Sequence, residues 1–371
     1  MATDEQKELS GLARSIDALF AAEAPRSTAG KIVWEKDDGV RRPPASDADP
    51  EALRAAVTAF LAAGPLEREG RARAIRDAAA ALREAKALDA LSDSVERLVQ
   101  GGGDPPDEAC MAVAHALLTP VVASRIVARL GATQDDERRA ELVLLCQRLG
   151  HEIALAIADA LSETRNRVAR GTYLDTLVSM GSEAMVIAEQ MLAHPRWFVV
   201  RDAAAILGEI EGERSIELLV STLAHADARV RAEVLLALAK VGGEDAGMLA
   251  YGMIEDPDPG VRLAAATAAG ALKVERAIKP LLSVLESEER PDVVVGVLDA
   301  LGRLGDPGAV AAIQKRAVAS FFSRQPADVR IAAYQALHRI GTPHAKSLLV
   351  QAADDKVPEV RTAVRHLLGM R

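Results

Sequence analysis

Residues 227–243 read DARVRAEVLLALAKVGG, and residues 258–272 read DPGVRLAAATAAGAL. Each stretch opens on an aspartate, passes through a Val-Arg pair and continues as an apolar run. In the first, Val230, Val234, Leu238 and Val241 recur at intervals of three and four, which lines up one face of an α-helix. Gly242 follows, the residue type that lets a helix end in the left-handed conformation.

The same marks recur about every 31 residues. The arginine position falls at Arg139, Arg170, Val200, Arg231, Arg262, Val294, Arg330 and Arg361, and the residue before it is valine in six of these eight cases. Ten residues on, the chain has Leu149, Met180, Ile210, Val241, Leu272, Leu304 and Ile340, all apolar. The next positions are Gly150, Gly181, Glu211, Gly242, Lys273, Gly305 and Gly341. Each unit therefore holds a first helix such as 215–224, a turn such as 225–227, and a second helix such as 228–241. Neither helix can bury its stripe alone, so about eight such units over residues 120–371 must stack on one another. The expected fold class is all-α: an α-solenoid, a right-handed superhelix of antiparallel helix pairs.

Composition agrees. Aromatic residues are 3% of the 371 and hydrophobic residues 49%, a balance that suits close-packed helices better than a β-sheet core. A net charge of −9 provides no drive toward nucleic-acid phosphates or an anionic membrane surface, so neither is expected as a partner. Cys110 and Cys146 lack CxxC spacing and read as small buried hydrophobes in a reducing compartment. The start is acidic, without an apolar leader, and no run reaches a membrane span; the expectation is a cytoplasmic protein.

Before the repeats the pattern is looser. Residues 1–24 place Leu9, Leu12, Ile16, Leu19 and Phe20 on one face of an amphipathic helix, open to capping the stack, docking on a partner, or self-association with another subunit. Residues 25–50 form a Pro-rich arm around Ile32-Val33-Trp34. Residues 51–119 read as irregular helices, interrupted at Gly101-Gly102-Gly103, which is expected to be a flexible joint because it lacks the Lys-Ser/Thr ending of a phosphate loop.

Over 120–371 the chain resembles the HEAT-like repeats of the phycobilisome-lyase type. The resemblance rests on the openings Val261-Arg262 and Val329-Arg330 and on Leu207-Gly208, Leu301-Gly302 and Leu368-Gly369 near the helix ends. It implies the fold, with second helices lining the concave side. Proteins of this type include chromophore lyases, scaffolds, alkylpurine DNA glycosylases and di-iron deoxyhypusine hydroxylases, so activity must be read from particular residues.

Those residues are sparse. The hydroxylases carry several His-Glu dipeptides, and here only His151-Glu152 matches, too few ligands for two irons. No metal, other cofactor or catalytic residue is expected. The repeated arginines are expected to hold turn carboxylates such as Asp135, Asp227, Asp258 or Asp355. On a helical projection, positions one, five and eight after the arginine mark face away from the core. Leu236, Leu263, Val295 and Ile331 fall there as a semi-apolar stripe, while position eight is mostly small, as in Gly208, Gly270 and Gly302. Either the stripe is an open groove floor or neighbouring second helices cover it. Trp197, Phe198 and Trp34 complete the candidate partner-binding residues. The expectation is a non-catalytic scaffold for a protein or peptide, with a bilin lyase-like enzyme as the alternative.

Overall fold

The computed structural model describes residues 48–370 except Pro105, Glu211 and 319–324; the amphipathic segment 1–24, nearly all of the arm and Trp34 lie outside the described residues. Among the described residues there are twenty α-helices, two 3-10 turns and no strand, so the fold is an all-α solenoid. They divide into two compact units, one ending at His194 and the other beginning at Pro195. No single described helix is long and apolar enough to cross a membrane.

The first unit holds α1 (Pro50–Leu61), α2 (Pro65–Glu84), α3 (Leu88–Gly101), α4 (Glu108–Leu117), α5 (Pro120–Ala132), α6 (Asp136–Leu149), α7 (His151–Glu163), α8 (Arg167–Ser179) and α9 (Ser182–Leu192). The Gly101–Gly103 run is not a loose joint. A Cβ on Gly101 would lie 2.7 Å from Leu61 Cδ1, and one on Gly102 2.8 Å from Cys110 Cβ. These glycines sit where α3 passes tightly against α1 and α4, and Gly103 takes φ +99 to turn the chain.

The second unit holds α10 (Trp197–Glu209), α11 (Glu213–Thr222), α12 (Ala228–Val241), α13 (Glu244–Gly252), α14 (Pro259–Ala271), α15 (Ile278–Ser287), α16 (Pro291–Leu304), α17 (Val310–Ala317), α18 (Ala327–Ile340), α19 (Pro343–Ala352) and α20 (Pro358–Leu367). Even-numbered helices from α6 to α20 are the second helices of the repeats. Their starts follow from the turn aspartates: Asp135, Asp227 and Asp258 each accept a hydrogen bond from an amide in the first turn, at 2.7–2.9 Å, and so cap their own helix. Their ends follow from Gly242, Gly305 and Gly341, at φ +83, +75 and +69. Lys273 occupies the same place without being glycine and is held at φ +57.

Val230, Val261 and Val329 are fully buried at equivalent depths, each stabilising its repeat by about 1.5–3 kcal/mol through removal from water. In the second unit α10, α12, α14, α16 and α18 pack closest of all, each on the next. The reason is the small residue eight positions after the arginine mark. A Cβ on Gly208, Gly270 or Gly302 would lie 2.8 Å from the Cα of Ala237, Ala300 or Ala336 on the following second helix. In the first unit that position holds Gln147 and Val178, and the first helices α5 and α7 make the closer contact instead. Small residues at position eight thus serve tight approach.

Candidate partner-binding face

The arginine ladder is a structural device, though its partners are not those expected. Arg231 donates to both oxygens of Asp256 (2.9 and 3.1 Å) and to the carbonyls of His225 and Ala226 in its own turn. Arg262 likewise reaches Glu288 (2.9 Å) and the carbonyls of Asp256 and Pro257. Arg330, 4% exposed, reaches Asp355 and the carbonyl of Ala317. Each guanidinium therefore ties its own turn to the turn of the next repeat, 25 or 26 residues on. Asp135, Asp227 and Asp258 cap their own helices instead, and of the expected carboxylates Asp355 alone belongs to these three ties. Where the arginine is replaced by Val200, the residue 25 further is His225, whose Nδ1 accepts from the Asp227 amide at 3.0 Å. Asp256 and Asp355 accept the corresponding bonds from Asp258 and Val357. At this repeat an imidazole closes the turn in place of a carboxylate.

Behind this edge, the second-helix face of the second unit carries the apolar stripe. Leu236 is 37% exposed; Leu263, Val295 and Ile331 are half-buried. Leu263 leans on the next second helix at Gly296, where a Cβ would push its Cδ1 aside. The structure thus brings the four side chains onto one face, with the helices touching beneath them and the side-chain ends still reachable by solvent.

Trp197 and Phe198 stand at the start of this face, half-buried, with ring centroids 5.8 Å apart in an edge-to-face arrangement. The Arg229 guanidinium lies 3.4 Å from the Trp197 ring centre and that of Arg201 5.4 Å, so two cations contact the indole. Arg229 is itself fixed by Asp227 at 2.7 Å. Sequence reasoning missed two acids beside this group. Asp202, 2% exposed, pairs with Arg201 at 2.9 Å. On the next helix Glu233 occupies the same register position, and burial first, then Asp202, pushes its carboxyl above the usual range against the pull of Arg201 and Lys240. A signal was present: two positions after the arginine mark the later repeats carry Ala264, Gly296, Ala332 and Ala363.

Other chemistry-bearing residues lie apart. His151 Nδ1 faces Glu183 at 3.1 Å while Glu152 faces His115 at 3.0 Å, so the single His-Glu dipeptide is divided between two neighbours. Among the described residues no group of three or more His, Cys, Asp or Glu converges as a metal site. Burial pushes the Cys146 thiol up to about 12; burial, with Asp107 beside it, pushes Cys110 up to about 11. Neither supplies a thiolate nucleophile near neutral pH.

Residues 187–249 and 248–321 match the family model for HEAT repeats. No curated protein matches the chain. Similar solved structures include human deoxyhypusine hydroxylase in complex with glycerol (20% identity, TM-score 0.30, covering 67% of this chain and 96% of that one). They also include YibA of Escherichia coli (14%, 0.37, 69% and 96%) and the complex of CpcE and CpcF of phycocyanin lyase from Nostoc sp. PCC7120 (20%, 0.34, 67% and 95%). At these identities and TM-scores the likenesses carry no argument about activity.

Proposed function

We propose that this chain, a HEAT-like repeat protein, is a non-catalytic scaffold that holds a protein or peptide against the second-helix face of the unit beginning at Pro195. The observation that carries the reading is the run of Leu236, Leu263, Val295 and Ile331 along four successive second helices, reachable by solvent and headed by the Trp197–Arg229 stack. Aligned apolar side chains with a tryptophan and arginines at one end have the composition of binding hot spots. The two buried thiols, with their raised pKa values, favour a scaffold over nucleophilic chemistry.

The test is capture of partners from the native host by the full chain, read by mass spectrometry. Leu263→Glu with Ile331→Glu, and separately Trp197→Ala, should each lose the captured protein while far-UV circular dichroism stays that of the parent. Undiminished capture by all these variants would end the proposal. A bilin titration addresses the lyase alternative: a shifted tetrapyrrole absorbance that these same variants abolish would favour an enzyme over a scaffold.

A further inference from the structure

Resting on the scaffold reading, we infer that the occupant of this face is an amphipathic α-helix of about twenty residues, with one acidic and one basic flank, lying across the second helices.

Spacing selects the helix. One stripe residue stands on each of α12, α14, α16 and α18, whose axes are roughly 8–10 Å apart, with Gly-on-Ala contacts between α14 and α16 and between α16 and α18. Seven residues of an α-helix advance about 10 Å and return to the same face. Three residues of an extended chain also advance about 10 Å, but an odd step in a strand turns the side chain to the opposite side. A helical ligand can therefore offer one apolar heptad per repeat from Leu236 to Ile331, whereas an extended peptide cannot keep register.

Charge selects the flanks. At the C-terminal ends of the second helices stand Lys240, Lys273, Arg303 and Arg339. Their carboxylate partners are two: Glu209 with Lys240, and Asp299 shared by Arg303 and Arg339, while the Lys273 ammonium donates to the Arg303 carbonyl. Counted on the second helices, that edge keeps two positive charges in excess; the acids Glu244, Asp245, Glu275 and Asp306 stand at the starts of the helices that follow. At the N-terminal ends, Arg229 and Arg290 are matched by Asp227 and Asp292, whereas Asp328 on α18 forms no ion pair among the described residues. The stripe thus runs between a basic and an acidic edge, and a helix with segregated flanks meets both.

The experiment uses the full chain and three synthetic peptides of about 21 residues, followed by fluorescence anisotropy. One carries leucines on one face with glutamates on one flank and lysines on the other. The second has the same composition with the charges mixed on both flanks, and the third is the first with two central residues replaced by proline. The segregated peptide should bind at least about fivefold tighter than the mixed one, with the advantage lost in high salt, and the proline peptide should not bind. Arg303→Glu with Arg339→Glu should erase the advantage. Equal binding of segregated and mixed peptides, binding of the proline peptide, or binding of none of the three overturns the inference. If capture of host proteins still depends on Leu263 and Ile331 in that event, the scaffold reading stands alone. Peptide binding that survives Leu263→Glu with Ile331→Glu means the peptides do not use this face, and refutes the inference whether or not the scaffold survives.

Discussion

Replacing Gly302 by alanine should destabilise the protein, although the same change in an ordinary helix interior stabilises by about 1 kcal/mol. The added Cβ would lie 2.8 Å from Ala336 Cα and 3.0 Å from Ala336 Cβ. The backbone of α18 cannot swing aside as a flexible side chain can, so α16 and α18 must separate or strain, an overpacking cost of about 1–3 kcal/mol. The net expectation is a loss of up to about 2 kcal/mol. With a urea dependence of roughly 3 kcal/mol per M, the unfolding midpoint falls by up to about 0.7 M. Gly171 supplies the control, since nothing lies within 4 Å of the Cβ it would gain in α8. Gly171→Ala should raise the midpoint. The pair Gly302→Ala with Ala336→Gly removes the 3.0 Å Cβ contact but leaves the residue 336 Cα at 2.8 Å, so it should recover only part of the loss, and a double-mutant cycle should give a coupling of about 0.5 kcal/mol in favour of the pair. Midpoints that rise equally for Gly302→Ala and Gly171→Ala would refute the claim that position eight is glycine for close approach.

Other expectations concern the ladder, a cap and the thiols. Arg330→Ala leaves Asp355 inside without its guanidinium and should cost about 3 kcal/mol by chemical denaturation, with Arg330→Lys recovering only part because it loses the two-pronged contact. The Asp227 carboxylate, bonded to the Arg229 side chain and then to its amide, is held down to about 2. Its folded pKa is depressed, so its contribution to stability is present above the ordinary value of about 4 and is lost as pH falls toward about 2; an NMR carboxyl titration at the ordinary value would contradict this. Cys110 and Cys146 should resist a thiol reagent at pH 8 in the native protein and both react in denaturant.

The second helices were readable from local signals. The three-and-four spacing of Val230, Val234 and Leu238, the aspartate before them and the glycine after them act within one helix, and the structure ends that helix at Val241 with Asp227 and Gly242 as caps. Lys273, at the glycine position of the repeat, is held at φ +57, which its residue type did not signal. The 31-residue register followed from the same local periodicity.

Sequence alone therefore determined the helices, their period and the face each one buries, since these depend on residues within a few positions of one another. Contacts between repeats were decided only by the tertiary structure. The arginines reach past the residues of their own turn to Asp256, Glu288 and Asp355 in the following one. The Gly101–Gly103 run is packed because α1 and α4 arrive beside it, and Leu263 is half-covered because the next helix offers Gly296. Such choices turn on where a side chain some 25 residues or more away comes to lie, which periodicity along one helix does not encode.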